Sequence, residues 1–318
     1  MSQNYLIISP CRNEEQYMRQ TLDSVVNQTV KPKKWIIVDD GSTDATPEIL
    51  NEYAQKHDFI QIVKRKNRGH RSVGPGVIEA FYEGYNNINI DDYDYICKLD
   101  LDLDLPLAYF QILIEKMEKE PRLGTYSGKP YFIHDKTKKL VAEVCGDESS
   151  VGMTKFYRVQ CFKQIGGFVK QVMWDGIDSH RCRLLGWISA SEDDPRIRFT
   201  HLRPMGSSQK SIITGRVRHG FGQYFMGTSF IYMFASVVFR LNKKPYVMGS
   251  LATLWGYIKS AFTRVERLDD PKMIKLMRRF QWSCLINGKT KAVAKINNKT
   301  SANWNPEKEV YQIPSKAN

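Results

Sequence analysis

Three aspartates at alternate positions, Asp100, Asp102 and Asp104, directly follow an apolar segment that covers residues 93–99. An Asp-x-Asp pair at the carboxyl end of a buried strand presents hard oxygen ligands to a divalent cation and to the phosphates that the cation carries. The same alternation also fits a strand edge with leucines turned inward and aspartates in water. The pattern by itself leaves both interpretations open, so the surrounding elements must decide between them.

Two more polar clusters come directly after apolar segments earlier in the chain. Residues 10–15 follow an apolar segment at residues 5–9, and residues 39–44 follow another at residues 34–38. We predict that these segments are strands and that helices, one of them at residues 77–85, alternate with them. Such alternation predicts an α/β fold with a mostly parallel sheet, whose site lies at the carboxyl ends of the strands. All three clusters fall at such ends, which favours a shared site.

Four segments carry a resemblance to a known family, and they occur in this order: residues 8–15, 24–28, 38–44 and 98–102. Together they resemble family 2 glycosyltransferases of the GT-A fold, which are inverting enzymes that use nucleotide-diphosphate sugars. A later segment, from Gly166 to Gly186, resembles the part of that family that carries the catalytic base. The resemblance covers about residues 4–205. It implies a Rossmann-like, mostly parallel sheet flanked by helices, a donor for which UDP is favoured, and a bound Mg²⁺ or Mn²⁺.

The resemblance implies that the donor nucleotide lies at the first two strand ends and beside the first aspartate of the Asp-x-Asp pair. Asp39 would accept a hydrogen bond from the imide N–H of a uracil or thymine, and Pro10, Arg12 and Glu14 would border the same nucleotide. Asp100 would lie beside the ribose. The alternative for Asp39 is turn and helix-cap chemistry, which is compatible with nucleotide binding.

The resemblance makes Asp102 the ligand of Mg²⁺ or Mn²⁺ on the donor diphosphate. The ion offsets charge on the departing nucleoside diphosphate and so acts as a Lewis acid. His201 is a candidate to complete the metal shell, and Arg203 is a candidate to pair with the diphosphate. The alternative for His201 is an ordinary structural histidine. Asp104 is a weaker candidate, with a solvated carboxylate as its alternative.

Inversion requires a base that takes the proton of the acceptor hydroxyl while that hydroxyl attacks the anomeric carbon. The resemblance makes this base Asp175. The family usually has Glu-Asp at this position, whereas this chain has Trp174 before Asp175. Asp178, one helical turn later, is therefore a possible substitute. For both carboxylates the alternative is a favourable charge at the start of a helix.

The composition predicts a globular protein of one large or two modest domains, since 42% of the 318 residues are hydrophobic and 25% are charged. The net charge of +13 is uneven, because residues 201–318 carry 20 Lys and Arg against 5 Asp and Glu. Such a basic block indicates an extended anionic partner, and interleaved apolar residues favour membrane lipid over nucleic acid. The six cysteines show no C-x-x-C spacing, which favours reduced thiols in a cytosolic protein.

We predict three parts: a GT-A nucleotide-sugar-binding and catalytic domain at residues 1–210, a helical, basic extension at residues 211–290, and a polar, frayed tail at residues 291–318. In the extension, apolar runs at residues 224–239 and 246–257 flank Lys243, Lys244 and Pro245. Each run is shorter than the roughly 20 residues that span a bilayer. A hairpin with a basic tip would lie at a membrane surface or pack in the core. At the other end of the chain, residues 5–9 are interpreted as a strand and not as a signal peptide.

These features predict a metal-dependent inverting glycosyltransferase that acts on a saccharide or lipid-linked acceptor in polysaccharide or glycolipid synthesis. We expect it to be cytoplasmic and peripheral at the inner face of the cell membrane, without a nucleic-acid partner. One alternative is a nucleotidyltransferase, which would carry a glycine-rich phosphate loop after the first strand, whereas residues 10–15 contain no glycine. The other is a non-catalytic protein that binds anionic lipid or nucleic acid through the basic block.

Overall fold

A computed structural model of the chain describes residues 3–70, 72, 74–134, 137–203, 211–242, 246–307 and 310–311. The chain folds into two units: the first comprises Met1–Lys163 and Ile188–Met205, and the second comprises Gln164–Trp187 and Gly206–Asn318. The bounds of these units differ from the expected boundary at residue 210, because the segment that carries Asp175 and Asp178 belongs to the second unit. Ile177 of that segment packs against Met226, Met273 and Met277, which explains the difference.

The first unit contains eleven strands and five helices among its described residues: β1 (Tyr5–Cys11), α1 (Met18–Val26), β2 (Lys34–Asp39), α2 (Thr46–Lys56), β3 (Ile60–Lys64), α3 (Pro75–Tyr85), β4 (Tyr95–Leu99), β5 (Leu103–Asp104), α4 (Tyr109–Lys119), β6 (Leu123–Ser127), β7 (Pro130–Ile133), β8 (Leu140–Ala142), β9 (Thr154–Arg158), α5 (Val159–Gln164), β10 (Ile188–Ser191) and β11 (Phe199–His201). The predicted alternation of strands and helices is confirmed for β1 to β4.

A seven-stranded sheet forms the centre of the first unit, in the order β10-β6-β9-β4-β1-β2-β3. β1 pairs in parallel with both β2 and β4, and β2 pairs in parallel with β3. β9 is antiparallel to its neighbours β4 and β6. The predicted α/β class with a mostly parallel sheet is therefore confirmed.

Helices cover both faces of this sheet, because apolar side chains point to both sides of its central strands. Ile7 and Ile37 belong to the core shared with α1 and α4. Ile8 and Ile36 point the other way, where α3 approaches so closely that a Cβ on Gly84 would lie 3.1 Å from either side chain. The rigid sandwich fixes the strand ends on which the polar clusters lie.

Parallel pairing brings these strand ends together. Cys11 at the end of β1 lies opposite Asp39 at the end of β2. On the other side of β1, Ile8 lies opposite Lys98 of β4, two residues before Asp100. The sequence clusters after β1, β2 and β4 therefore follow three adjacent strands at one edge.

A four-stranded sheet in the order β5-β11-β7-β8 continues from this edge. β5 and β11 are antiparallel, and their register sets His201 opposite Leu103. Because β5 directly follows the Asp-x-Asp pair, this pairing brings His201 next to Asp102.

The second unit is helical in its described residues, with α6 (Trp174–Leu184), α7 (Ile212–Phe225), α8 (Phe230–Arg240), α9 (Tyr246–Phe262), α10 (Pro271–Asn287) and α11 (Lys289–Thr300). The predicted helical extension agrees with this, but the apolar run at residues 224–239 is divided between α7 and α8. The division falls at Gly227, which has a positive φ of 87°. Residues 243–245, the expected hairpin tip, lie outside the described residues.

The tail expected to be frayed at residues 291–318 is instead packed and hydrogen-bonded in its described part. Ala292 and Ile296 of α11 are buried and pack against Phe280 of α10. The side chain of Gln164 donates to the carbonyls of Asn305 and Pro306, each at 2.9 Å. Residues 308–309 and 312–318 of the expected tail lie outside the described residues.

Candidate active site

The loops after β1 and β2 hold each other through backbone and side-chain hydrogen bonds. Asn13 adopts a left-handed conformation with φ of 52°, and its N–H donates to Oγ of Ser42 at 2.9 Å. In return the N–H of Thr43 donates to Oδ1 of Asn13 at 2.8 Å. The N–H of Glu14 donates to Oγ1 of Thr46 at 2.8 Å. These bonds fix the site edge before any ligand binds.

Asp39 is buried at the end of β2, where its Oδ1 accepts a hydrogen bond from the N–H of Ser42 at 2.9 Å. The turn chemistry proposed as its alternative is therefore present. Pro10 lies opposite Val38 at the same sheet edge and is partly exposed. Asp39 and Pro10, which were predicted to contact the nucleotide of the sugar donor, thus lie beside each other. Their contacts with the nucleotide stay a prediction.

Asp40, which the sequence analysis did not single out, joins the first loop to the loop after β3. Its carboxylate accepts from Arg65 at 2.8 Å and from Arg68 at 2.6 Å. Arg12 donates to the backbone carbonyl of Asp40 and, at 2.7 Å, to Oδ1 of Asn67. The predicted donor residue Arg12 is therefore buried in a network that ties three loops together. The only sequence signal for Asp40 was its place beside Asp39 at a strand end.

Asp100 begins the Asp-x-Asp pair, and its N–H donates to the carbonyl of Met153 at 2.8 Å. Its carboxylate accepts from the buried ammonium of Lys98. Burial and the negative charge of Asp102 raise the pKa of Asp100, although the charge of Lys98 opposes this. Asp100 is therefore the more easily protonated of the two aspartates.

Asp102 is buried between two cationic side chains. Its Oδ2 accepts from Nη2 of Arg203 at 2.6 Å and from Nε of Arg203 at 3.0 Å, and it lies 3.6 Å from Nε2 of His201. Burial alone would raise the pKa of Asp102, but His201 and the charge of Arg203 outweigh it and lower the pKa to about 2. The Asp102 carboxylate is therefore the one that stays ionised.

Arg203 connects Asp102 to the loop after β1. Its Nη2 donates to both carboxylate oxygens of Glu14, at 2.9 and 3.0 Å. Its guanidinium also lies 5.5 Å from the ring centre of Tyr17. The structure thus brings together three predicted residues, Glu14, Asp102 and Arg203, that are far apart in the sequence.

Glu143 orients His201 and was missed by the sequence analysis. Nδ1 of His201 lies 3.0 Å from Oε1 of Glu143, and both side chains are almost fully buried. Burial lowers the pKa of His201, but Asp102 and Glu143 outweigh it and raise the pKa to about 9. A histidine held by a carboxylate through Nδ1 presents Nε2 in a fixed direction, as metal-binding histidines do.

The residues around Asp102 fit a divalent cation whose coordination shell is completed by the phosphates of a substrate. Oδ1 of Asp102 is buried and accepts no hydrogen bond in the structure, so one oxygen is available as a ligand. Nε2 of His201 points to the same carboxylate. Within the described ranges, no group of three or more His, Cys, Asp or Glu side chains could hold a metal ion. The Asp102 carboxylate suits Mg²⁺, which is commonly bound through one or two carboxylates together with phosphates, and His201 would add a nitrogen ligand only as the neutral imidazole.

Asp104, the weaker candidate, and Asp44 in the loop after β2 both make hydrogen bonds within the fold. Oδ2 of Asp104 accepts from Gln20 at 2.8 Å, on the short strand β5. Oδ1 of Asp44 accepts from the N–H of Thr46, the first residue of α2, at 3.0 Å. Neither carboxylate is needed to explain the site around Asp102.

The two candidate bases lie on α6 in the second unit. α6 follows Met173, which adopts a left-handed conformation with φ of 68°. Asp175 is partly exposed in the first turn, whereas Asp178 is 1% exposed and accepts from Oγ of Ser179 at 3.2 Å. A base must reach an incoming hydroxyl, so the exposure of Asp175 favours it over Asp178.

Comparison with known proteins agrees with this arrangement. Residues 6–166, half of the chain, match the family model of glycosyl transferase family 2. Over 121 residues the chain is 33% identical to a poly-β-1,6-N-acetyl-D-glucosamine synthase of Staphylococcus epidermidis. This alignment covers 38% of the chain and 27% of that relative, so the matched part spans about a quarter of the relative's length.

Solved structures of low sequence identity share the fold. TarS 1-349 of S. aureus in complex with UDP-GlcNAc is 13% identical with a TM-score of 0.51, over 95% of this chain and 92% of that one. The mannosyltransferase PcManGT of Pyrobaculum calidifontis, in complex with GDP-Man and Mn²⁺, is 15% identical with a TM-score of 0.50, over 93% and 86%. At these identities the likeness concerns the fold alone.

Proposed function

The chain belongs to glycosyl transferase family 2, and we propose that it transfers a sugar from a nucleotide-diphosphate donor to an acceptor hydroxyl with inversion and with the help of a divalent cation. One observation carries the proposal: Asp102 is buried and ionised at the carboxyl edge of the sheet, with one oxygen unpartnered and with His201 and Arg203 beside it. This is the charge arrangement that a cation-bridged diphosphate requires. The family match favours it over the nucleotidyltransferase and over a non-catalytic binding protein.

The donor, in this proposal, is a UDP-sugar. The structurally similar TarS 1-349 was solved with UDP-GlcNAc, and the matched relative is named as a synthase of an N-acetylglucosamine polymer. Asp39 accepts from the imide N–H of the base, with Pro10 and Arg12 at the same edge. Asp100 accepts from the ribose, for which its position two residues before Asp102 suits it.

Asp102 would hold the cation, for which Mg²⁺ and Mn²⁺ are the candidates, and His201 would join it as a ligand after releasing the proton that its raised pKa retains. When bound, it supplies Lewis-acid stabilisation of the diphosphate leaving group. Arg203 replaces its hydrogen bonds to Asp102 with hydrogen bonds to the phosphate oxygens, and it supplies a second positive charge to the leaving group. Glu14 keeps the guanidinium in place during this exchange, because it holds the same Nη2.

Asp175 is the proposed base. As the acceptor oxygen attacks the anomeric carbon, its proton passes to the Asp175 carboxylate, and the bond from the anomeric carbon to the phosphate oxygen breaks with its electron pair on the nucleoside diphosphate. The acceptor is a saccharide or a lipid-linked sugar. We place the protein in the cytoplasm at the inner membrane face, because the basic segment of residues 201–318 suits an anionic surface.

The test measures UDP release from a panel of UDP-sugars with and without Mn²⁺, together with the anomeric configuration of any product. We expect Mn²⁺-dependent release that falls at least about 10²-fold in Asp102→Asn, because the leaving group loses its charge stabilisation. Asp104→Asn is the matched control and should keep activity within about twofold, since Asp104 only accepts from Gln20.

Two results would contradict the proposal. An undiminished Mn²⁺ response in Asp102→Asn would remove the ligand assignment. A product with the donor's anomeric configuration would remove inversion and with it the role of Asp175. Thermal stabilisation by UDP shows in parallel whether each variant still folds and binds nucleotide.

A further inference from the structure

Helix α9 exposes its large apolar side chains and buries small and polar ones, which is the opposite of an ordinary surface helix. Its buried side consists of small or polar residues together with one tyrosine: Gly249, Ser250, Thr253, Gly256, Tyr257 and Ser260. Its opposite side is exposed and apolar, with Met248 at 65%, Trp255 at 59% and Phe262 at 84% exposure. A helix of a water-soluble protein normally buries its large apolar side chains and exposes its polar ones.

The buried side of α9 serves close helix packing. A Cβ on Gly256 would lie 2.0 Å from the carbonyl oxygen of Val217 on α7. A Cβ on Gly220 of α7 would lie 1.9 Å from the carbonyl oxygen of Thr253. Small residues thus allow the two backbones to touch, as in helices that pack within lipid. Apart from Tyr257, most of the large side chains of α9 are therefore exposed on its other sides.

Helix α8 adds a second apolar surface. Met233 and Val237 on its inner side pack with Tyr224 and Tyr257. Five large side chains on the rest of its surface are each at least half exposed: Phe230, Ile231, Phe234, Val238 and Phe239. We call these five, together with Val247, Met248, Leu251, Trp255 and Phe262 of α9, the apolar face of the second unit.

The segment that carries the apolar face has positive charge and no negative charge. Between Asp194 and Glu266 the sequence contains no acidic residue. Residues 211–265 contain seven basic residues, namely Arg216, Arg218, Arg240, Lys243, Lys244, Lys259 and Arg264. Such a segment is complementary to a surface that is apolar inside and negatively charged outside.

We propose that the apolar face docks onto a lipid bilayer that carries anionic headgroups, with α8 and α9 in the interfacial layer. Interfacial helices of this kind combine large apolar and aromatic side chains with Lys and Arg. A second copy of the chain is the competing occupant. It would bring seven further positive charges against the same acid-free segment, and this repulsion favours lipid.

The helices lie along the bilayer surface and do not cross it. No helix in the described part of the chain has the length together with the hydropathy that a bilayer span requires. The biological role of docking rests on the proposed function, because a lipid-linked acceptor is presented at a membrane surface. The physical claim itself needs neither donor nor cation.

The test is flotation of the full chain with vesicles, without donor or Mn²⁺. We expect binding to phosphatidylcholine vesicles that contain about a quarter phosphatidylglycerol, and weaker binding to phosphatidylcholine alone. Added salt should weaken the binding to anionic vesicles. The combined variant Phe234→Ser, Leu251→Ser and Trp255→Ser should reduce the partition coefficient at least about 10-fold, because three exposed apolar side chains that would enter the bilayer are lost.

Leu107→Ser is the matched control, since Leu107 is 62% exposed and lies in the first unit. It should bind vesicles like the unchanged chain, and all variants should keep their melting temperature because the substituted side chains are exposed. Equal binding of the triple variant and the unchanged chain would overturn the proposal. So would an absence of vesicle binding with a concentration-dependent dimer that the triple variant abolishes, which would assign the face to a second copy. Because no sugar transfer is measured, failure here is distinguishable from failure of the proposed function.

Discussion

Asp100 and Asp102 are two residues apart, yet their surroundings displace their pKa values in opposite directions. Burial and the charge of Asp102 raise the pKa of Asp100, whereas His201 and Arg203 lower the pKa of Asp102 to about 2 against the effect of burial. A pair of carboxylates separated in this way has separate tasks. Asp102, whose lowered pKa keeps it ionised at neutral pH, suits a cation, and Asp100 suits hydrogen bonding to a hydroxyl.

The choice between Asp175 and Asp178 can be decided by paired variants. We expect Asp175→Asn to lose transfer by at least about 10²-fold while UDP still stabilises the protein, because only proton removal is lost. Asp178→Asn should affect turnover much less, since Asp178 is 1% exposed. Transfer rates and thermal shifts with UDP measure both effects. The reverse order of the two variants would make Asp178 the base.

For single residues, the sequence predicted a place in the site where the residue lay in or beside a recognisable motif, and it failed elsewhere. Asp102, His201 and Arg203 were predicted, and the structure brings them together. Glu143 was not predicted, because it lies 58 positions from His201 in a segment without any motif. Asp40 was passed over because its ion pairs come from Arg65 and Arg68, and no local pattern reveals such long-range partners.

Among the elements, the crossing of α7 and α9 depends on two glycines. Gly220→Ala would force a Cβ to 1.9 Å from the backbone oxygen of Thr253, which a backbone cannot evade without moving the helix. We expect a loss of about 1–3 kcal/mol in the free energy of unfolding, the usual range for overpacking. Chemical denaturation of the full chain measures it.

Gly176→Ala on α6 is the matched control for that prediction. A Cβ there would find its nearest neighbours, Met173 and Met226, at 3.5 Å, which is ordinary contact. Because alanine is the better helix former, this variant should be neutral or stabilised by up to about 1 kcal/mol. Equal losses in both variants would show that the tight crossing does not determine the effect.

His219 on α7 should make stability depend on pH. Burial and the nearby charges of Arg240, Arg216 and Arg218 lower the pKa of His219 from 6.5 to about 3. Between these values the unfolded chain binds a proton that the folded protein does not, so the free energy of unfolding falls as the pH falls. Near pH 5 the loss is on the order of 1–2 kcal/mol.

Melting temperatures at about pH 7 and pH 5 test this prediction, with His219→Gln as the comparison. Glutamine carries no charge at either pH, so the variant should lose less of its melting temperature on acidification. The same loss in both proteins would mean that His219 is not protected from protonation in the folded state.

The division of residues 224–239 between two helices illustrates why some elements escaped prediction. The apolar run continues through the break, so hydropathy gave no boundary. The break is held by distant residues: the hydroxyl of Tyr257 donates to the carbonyl of Thr228 at 2.8 Å, and Arg278 donates to the carbonyl of Gly227 at 2.9 Å. Strands β1, β2 and β4 were predicted better, since each is a short apolar run with polar ends.

For the molecule as a whole, the family resemblance predicted the sheet of the first unit better than the extent of the second. The segment of residues 164–187 was assigned to the sheet domain because its motifs follow those of the strands in sequence. Its buried contacts are instead with later helices, including an ion pair between Arg181 and Asp270 at 3.0 Å with both side chains buried. The polar composition of residues 291–318 also suggested fraying, whereas Ala292, Val293 and Ile296 pack α11 against Phe280.

The integrity of the second unit should therefore depend on residues that the sequence assigned to a tail. Ile296→Ala should lower the free energy of unfolding by about 2–4 kcal/mol, because it opens a cavity against Phe280. Lys295→Ala, one position earlier and exposed, should change it by less than about 0.5 kcal/mol. Denaturant titration of both variants measures the difference. Equal stability would restore the expectation of a frayed end.

The bridge that Arg203 forms between Glu14 and Asp102 has a consequence for the enzyme at rest. Three carboxylates, those of Glu14, Asp102 and Glu143, converge in a buried place, and Arg203 and His201 already neutralise most of their charge. These five side chains therefore hold one another in position through contacts between opposite charges. If turnover requires the proposed cation, a chelator should stop turnover while leaving the melting temperature almost unchanged, and added Mn²⁺ should restore turnover.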